Sequence, residues 1–352
     1  MANRLQFLKR QLGKIMKLDE GFMHSMHDAM NLLRTRGPQE ASAAIQRALG
    51  GHLPATQPTQ PAQPAHEPTP SQDPGQFTTH TFANAAGQRD YKLYVPSVNT
   101  GRPMPLIVML HGCTQDANDF AAGTQMNALA EARGFIVAYP VQPQGANASK
   151  CWNWFKTTDQ RRDSGEPSLI AGITRDVMAK HAVDPARVYV AGLSAGGAMA
   201  AIMVRAYPDL YAAAAVHSGL AAGAAHDLPS ALAAMRGGKL KAKNLQSPRR
   251  PMIVFHGDAD NTVHPSNAAE LVRGFAGDSL VFDDALSAKA GKRATTVERM
   301  TSPDGVDAEL WMIHGAPHAW AGGSTRGTYT DASGPDASAA MLRFFLDHPL
   351  KA

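Results

Sequence analysis

The sequence predicts an α/β fold: a mostly parallel central sheet with helices on both faces. Short apolar runs alternate with stretches of helical spacing from Phe77 to Leu346. The runs at 106–110, 135–139, 188–191 and 252–255 are apolar throughout, as parallel strands buried on both faces must be. Regular alternation of such strands with helices is the pattern of a layered α/β domain.

The elements follow in order. Residues 1–51 predict a small helical extension: Leu5, Leu8, Leu12 and Ile15, then Phe22, Met23, Met26, Met30 and Leu33, fall at helical spacing. A third helix starts at Pro38 and stops at Gly50-Gly51. Residues 52–75 are a Pro-rich linker, with Pro54, Pro58, Pro61, Pro64, Pro68, Pro70 and Pro74 among Gln, Thr and Ala. Such a composition cannot bury enough surface to fold and predicts an extended spacer. The third segment, 76–352, is the expected catalytic domain. It opens with a hairpin, 77–82 and 91–95, around Asn84 and Gly87. Strand 106–110 is followed by one helix over 117–133 and strand 135–139. A long loop, 140–166, precedes a helix over 168–181. After strand 188–191 and helix 198–206 come a strand at 212–216 and a polar insertion at 220–248. Strand 252–255, a helix at 267–275, strands at 295–300 and 309–313, and a closing helix at 335–346 complete the chain.

The 352 residues, 44% hydrophobic, suffice for a large core plus an appendage. A formal charge of +4 without a basic block argues against nucleic-acid binding. No apolar run reaches the length of a membrane span, and the N-terminus lacks the apolar core and cleavage site of a secretory signal. On those features alone the expected location is cytoplasmic. The basic, amphipathic spacing within 1–51 also suits contact with a membrane or polymer-granule surface. Docking on the main domain or self-association is the plainer reading, and the sequence leaves the oligomeric state open. Two cysteines, Cys113 and Cys151, are too few for a disulfide scaffold and wrongly spaced for zinc.

Reactive groups gather where the strands end, as expected of loops at the carboxyl edge of an α/β sheet. Gly192-Leu-Ser-Ala-Gly196 lies between a strand and a helix and reads as a nucleophile elbow carrying Ser194. Strand 106–110 runs into His111-Gly-Cys-Thr-Gln115. The backbone N–H groups of Cys113 and Ala195 are the candidate oxyanion donors, each worth roughly 3–4 kcal/mol to a transition state. His111 lies at the foot of this loop, and its expected role is a structural hydrogen bond. After strand 252–255, Asp258 and Asp260 are both candidate acids; Asp260, in Asp-x-x-Val-x-Pro, resembles the usual placement in serine hydrolases of this build. The last loop offers His314, at the strand end, and His318, farther out and able to reach back over Ser194. Ser194, Asp260 and His318 occur in the Ser, acid, His order of α/β-hydrolases, so the predicted fold is an α/β-hydrolase.

Five motifs then resemble one family. His-Gly-Cys-Thr-Gln (111–115), Cys-Trp-Asn-Trp-Phe (151–155), Gly-Leu-Ser-Ala-Gly-Gly (192–197), His-Gly-x-x-Asp (256–260) and His-Ala-Trp-x-Gly-Gly (318–323) are similar to those of the poly(3-hydroxybutyrate) depolymerase esterases, relatives of the feruloyl and acetylxylan esterases. The likeness covers about 76–348 and implies a serine esterase that needs no metal or organic cofactor. Its expected partner is an ester or polyester substrate. No further linker or polymer-binding domain follows, which leaves soluble oligoesters and small esters open. The resemblance also implies a Cys113–Cys151 disulfide tying the Trp-rich loop to the site, and with it an extracellular or periplasmic location. Trp152, Trp320 and Gln115 are the expected substrate-binding residues, with Trp154 equally suited to packing.

Overall fold

The computed structural model describes residues 74–98, 101–238, 249–273, 275, 281–286 and 292–351. The helical extension expected at 1–51, and the linker expected at 52–75 apart from Pro74 and Gly75, lie outside the described residues. The chain divides into two units, and the larger, Pro70–Pro143 with Lys150–Ala352, holds every element below.

The strands are β1 (Gln76–Asn84), β2 (Gly87–Val95), β3 (Met104–Leu110), β4 (Ile136–Pro140), β5 (Val183–Leu193), β6 (Ala213–His217), β7 (Met252–Gly257), β8 (Val281–Leu286), β9 (Thr295–Thr301), β10 (Asp307–Ile313), β11 (Trp320–Ala321) and β12 (Thr330–Asp331). The helices are α1 (Ala117–Thr124), α2 (Met126–Arg133), α3 (Gly165–Lys180), α4 (Ala195–Ala206), α5 (Leu228–Met235), α6 (Ser266–Val272) and α7 (Ala337–Asp347). One ten-stranded sheet runs in the order β1-β2-β4-β3-β5-β6-β7-β10-β9-β8. From β4 to β10 neighbouring strands pair in parallel, and antiparallel pairs flank them on both sides.

Alternation along each central strand sends side chains to two separate cores. Leu106, Val108 and Leu110 of β3, with Val188 and Val190 of β5, pack under α3 and α4. Ile107, Met109, Tyr189 and Ala191 face the other way, against Phe120 of α1, Met126 of α2 and Met341, Leu342 and Phe345 of α7. This is why these runs carry no polar residue. Chain order reverses across the sheet between β3 and β5: β4 lies beyond β3, and β6, β7 and β10 lie beyond β5. In an open α/β sheet that reversal opens a crevice at the carboxyl ends of the two strands.

Three local expectations change. The helix expected over 117–133 is two helices, broken at Gln125, which takes the left-handed conformation (φ 57°, ψ 23°). The polar insertion holds α5, whose start is a capping box between Asp227 and Ser230. A further strand, β8, extends the antiparallel edge beyond β9.

Candidate active site

Ser194 stands between β5 and α4 with φ 57° and ψ −119°. For a non-glycine residue this is a strained backbone, costing on the order of 1–3 kcal/mol. Neighbouring structure holds it there. Its N–H donates to the carbonyl of His217 (2.9 Å), and α4, buried from Ala195 to Val204, follows at once. A Cβ on Gly192 would lie 2.3 Å from the Gly196 carbonyl carbon, and one on Gly196 would lie 2.0 Å from the Leu110 carbonyl oxygen. Only glycine lets strand, turn and helix approach this closely. Ala195 opens α4, so its N–H has no intrahelical acceptor and sits at the positive end of the helix dipole. Leu110 is paired with Gly192 across β3 and β5, so the loop of Cys113 and the helix start at Ala195 leave adjacent strand ends.

Asp260 and His318 are brought together by β7 and β10, which pair Gly257 with Ile313. His318 Nδ1 lies 2.7 Å from Asp260 Oδ2. An ionised carboxylate only accepts, so Nδ1 is the donor and Nε2 is left facing other partners. The other carboxylate oxygen accepts the N–H groups of Thr262 and Val263, both at 2.9 Å. Burial pushes the Asp260 carboxyl up, but its bonds to His318 and Val263 and the nearby imidazoles pull harder, and its pKa lies below the usual carboxylate range. A second pair sits close by: His314 Nδ1 to Asp258 Oδ2 at 2.9 Å, with Asp258 also accepting the Gly315 N–H. It differs in two ways. Both side chains are half-exposed, and His314 Nε2 is engaged by Thr296 Oγ1 at 2.9 Å.

Sequence reasoning missed His217. Fully buried at the end of β6, it is stacked between Phe255 and Trp320. Its carbonyl takes the Ser194 N–H, and its Nε2 accepts the Ala321 N–H at 3.0 Å. One residue thus joins the elbow to the loop that carries His318. His111 plays a similar part under the oxyanion loop: Nε2 accepts the Gln142 N–H (3.1 Å) and Nδ1 donates to the Gly112 carbonyl (2.7 Å). The available signal was a histidine at the end of, or directly after, an apolar strand; His111, His217, His256 and His314 all stand there.

Burial lowers the pKa of His111 to about 4 and of His217 to about 3, so both are neutral in the folded protein. Unfolded, they titrate near the ordinary imidazole value of 6.5. Their contribution to stability is therefore complete above that value and is lost as pH falls, because only the unfolded chain then takes up the protons. Each histidine should cost about 1.4 kcal/mol per pH unit through this window. Urea unfolding measured from pH 7.5 to pH 4.5 is expected to show a plateau, then a fall of about 3 kcal/mol per unit from the two together.

The side chains expected to line a substrate groove are placed otherwise. Trp152 is fully buried, tilted onto His111, and its indole N–H donates to the His111 carbonyl (3.1 Å). Trp320 is 2% exposed, edge-on to Phe120, with its N–H on Ser338 Oγ. Gln115 is 3% exposed; its Oε1 accepts the Gly112 N–H, and its Nε2 donates to Asp119 and to the Thr328 carbonyl. All three fix the loops around the site and present almost no surface to a substrate. Trp154 is buried too.

Cys113 and Cys151 form a disulfide, tying the 140–166 loop to the oxyanion loop. Closing a span of 38 residues contributes about 4 kcal/mol in the chain-entropy model. Glu166, buried and likewise missed by sequence reasoning, anchors the same loop: it accepts the Asn153 N–H and side-chain amide and the Gln142 amide. Gln142 in turn donates to the Cys151 carbonyl.

A strained serine at an elbow, an Asp–His pair at neighbouring strand ends and a ten-stranded, mostly parallel sheet define an α/β-hydrolase fold. The chain belongs to the esterase PHB depolymerase family, whose model matches residues 89–299. It is similar to poly(3-hydroxyalkanoate) depolymerase C of Paucimonas lemoignei, 36% identical over 55% of this chain and 49% of that protein. It is also similar to feruloyl esterase B of Neurospora crassa, 34% identical over 56% of this chain and 72% of that protein. The match thus spans about half the length of the depolymerase relative. Among solved structures, an acetyl xylan esterase from Aspergillus awamori shares the fold with a TM-score of 0.59, 22% identity and coverage of 76% of this chain and 98% of that one.

Proposed function

We propose that the site is that of a serine esterase working through an acyl-enzyme. The observation that carries this reading is the Asp260–His318 hydrogen bond, which leaves His318 Nε2 as a base on a loop that His217 joins to the strained elbow of Ser194. His318 takes the proton of Ser194 as Oγ attacks the ester carbonyl, and the Cys113 and Ala195 N–H groups receive the oxyanion. His318 then protonates the departing alcohol. Water, activated by the same imidazole, cleaves the acyl-enzyme while Asp260 keeps the ring oriented.

The substrate we favour is a poly(3-hydroxybutyrate) or polyhydroxyalkanoate chain or its soluble oligoesters, in keeping with the family and the depolymerase relative. A feruloyl or acetylxylan esterase acting on plant polysaccharide esters is the second reading, favoured by the fuller coverage of feruloyl esterase B. The disulfide supports an extracellular or periplasmic location over a cytoplasmic one, since such bridges persist in oxidising compartments. Attachment to a polymer granule or membrane surface through residues 1–51 rests on their helical spacing alone.

A fluorophosphonate reagent tests the site directly. Covalent label on the peptide bearing Ser194, slowed by an ester substrate present in excess, is the expected result; label elsewhere, or none, overturns the proposal. Release assays on 3-hydroxybutyrate oligomers and feruloylated sugars then separate the two substrate readings.

A further inference from the structure

Tyr329 is a large side chain that the fold leaves in the open beside the site. It is 46% exposed and holds φ 51°, a backbone region that aromatic residues rarely occupy. Two contacts fix its position. Its carbonyl accepts the Trp320 N–H at 2.7 Å, two residues past His318. Its hydroxyl lies 3.2 Å from Thr114 Oγ1, one residue past Cys113. The ring therefore reaches from the His318 loop to the oxyanion loop. The residue before it is clamped as well: Thr328 donates its N–H and hydroxyl to Asp119 and accepts Gln115 at its carbonyl.

Proton accounting sets the direction of the hydroxyl chain. Thr114 Oγ1 donates its only proton to the Cys113 carbonyl at 2.6 Å. Tyr329 must then be the donor to Thr114, and its phenol oxygen keeps lone pairs free to accept.

Resting on the esterase reading above, we propose that Tyr329 contacts the substrate and sets specificity at this site. Its ring face packs on the apolar part of the acyl group, and its phenol oxygen accepts a hydrogen bond from a hydroxyl on that group. The recognised class is an ester whose acyl part carries a free hydroxyl donor, a feature shared by the hydroxyl-terminal 3-hydroxyalkanoyl unit of an oligoester and by hydroxycinnamoyl groups. Trp152, Trp320 and Gln115, being buried, act behind this surface.

Steady-state kinetics on p-nitrophenyl butyrate, 3-hydroxybutyrate and ferulate, with wild type, Tyr329→Phe and Tyr329→Ala, test the proposal. Tyr329→Phe removes the acceptor and should raise KM for a recognised hydroxylated ester about fivefold relative to butyrate, the size of one net hydrogen bond. Tyr329→Ala should raise KM for every ester the protein hydrolyses. Which hydroxylated ester responds to the Phe variant identifies the acyl source. Equal KM changes for butyrate and both hydroxylated esters in Tyr329→Phe would overturn hydroxyl recognition. An unchanged KM with a reduced kcat in both variants would reduce Tyr329 to a prop for Cys113. Should the Ala variant fail to fold, judged by circular dichroism, the Phe variant decides alone. Ser194→Ala is run alongside, and hydrolysis persisting there refutes the esterase reading instead.

Discussion

Ser194→Ala is expected to lower kcat on p-nitrophenyl butyrate by roughly 10^5- to 10^6-fold, the loss seen when the nucleophile of a serine hydrolase is removed. The residual rate would come from the oxyanion donors and from binding, neither of which depends on the serine hydroxyl. The fold should be indifferent to the change. Ser194 makes no side-chain capping bond to α4, its backbone bond to His217 survives, and alanine keeps the same Cβ at φ 57°. Unfolding free energy should therefore move by no more than about 0.5 kcal/mol, the usual range for a substitution that breaks no named interaction. Circular dichroism and urea titration beside the assay separate the two effects. Activity within tenfold of wild type in a folded variant would sink the acyl-enzyme mechanism; loss of the fold would mean that the hydroxyl stabilises the elbow.

The central sheet was legible because burial on both faces leaves a strand no freedom to be polar. Every such run in the sequence is a strand from β3 to β7. At the edges that constraint disappears. β8 has no uniformly apolar run, and α5 lies in a stretch whose Asp227-Leu-Pro-Ser230 start reads equally as a turn. The break at Gln125 was hidden because apolar spacing continues across it; Thr124, whose hydroxyl returns to the Phe120 carbonyl, marks it only in three dimensions.

The site divides in the same way. Ser194, Asp260 and His318 stand in short motifs whose spacing from a strand end carries their geometry, and the structure joins Asp260 to His318. Side chains around them depend on distant partners. A tryptophan's bulk suits a groove and a core alike, and the His111 carbonyl and Ser338 decide for Trp152 and Trp320. Tyr329 gives no signal at all in sequence, lying in a Gly-, Ser- and Thr-rich stretch that reads as a plain loop.

The two neighbouring acids provide the sharpest test of that division. Asp260→Asn should reduce kcat by about 10^4-fold, whereas Asp258→Asn should cost less than tenfold. The carboxylate at 260 accepts the His318 Nδ1 proton and so leaves Nε2 unprotonated to receive the serine's. An asparagine retains the shape and can turn its amide NH2 toward Nδ1, which stabilises the wrong tautomer and removes the charge facing an imidazolium. Asp258 faces a half-exposed histidine whose other nitrogen is already held by Thr296, so neither the tautomer nor the charge there touches the reacting serine. Water screens that pair, and its loss should cost the fold at most about 1 kcal/mol. Both variants can be assayed on p-nitrophenyl butyrate with urea unfolding in parallel. If Asp258→Asn were the inactive one and Asp260→Asn remained active, the base would be His314, and the buried pair would be a structural contact only.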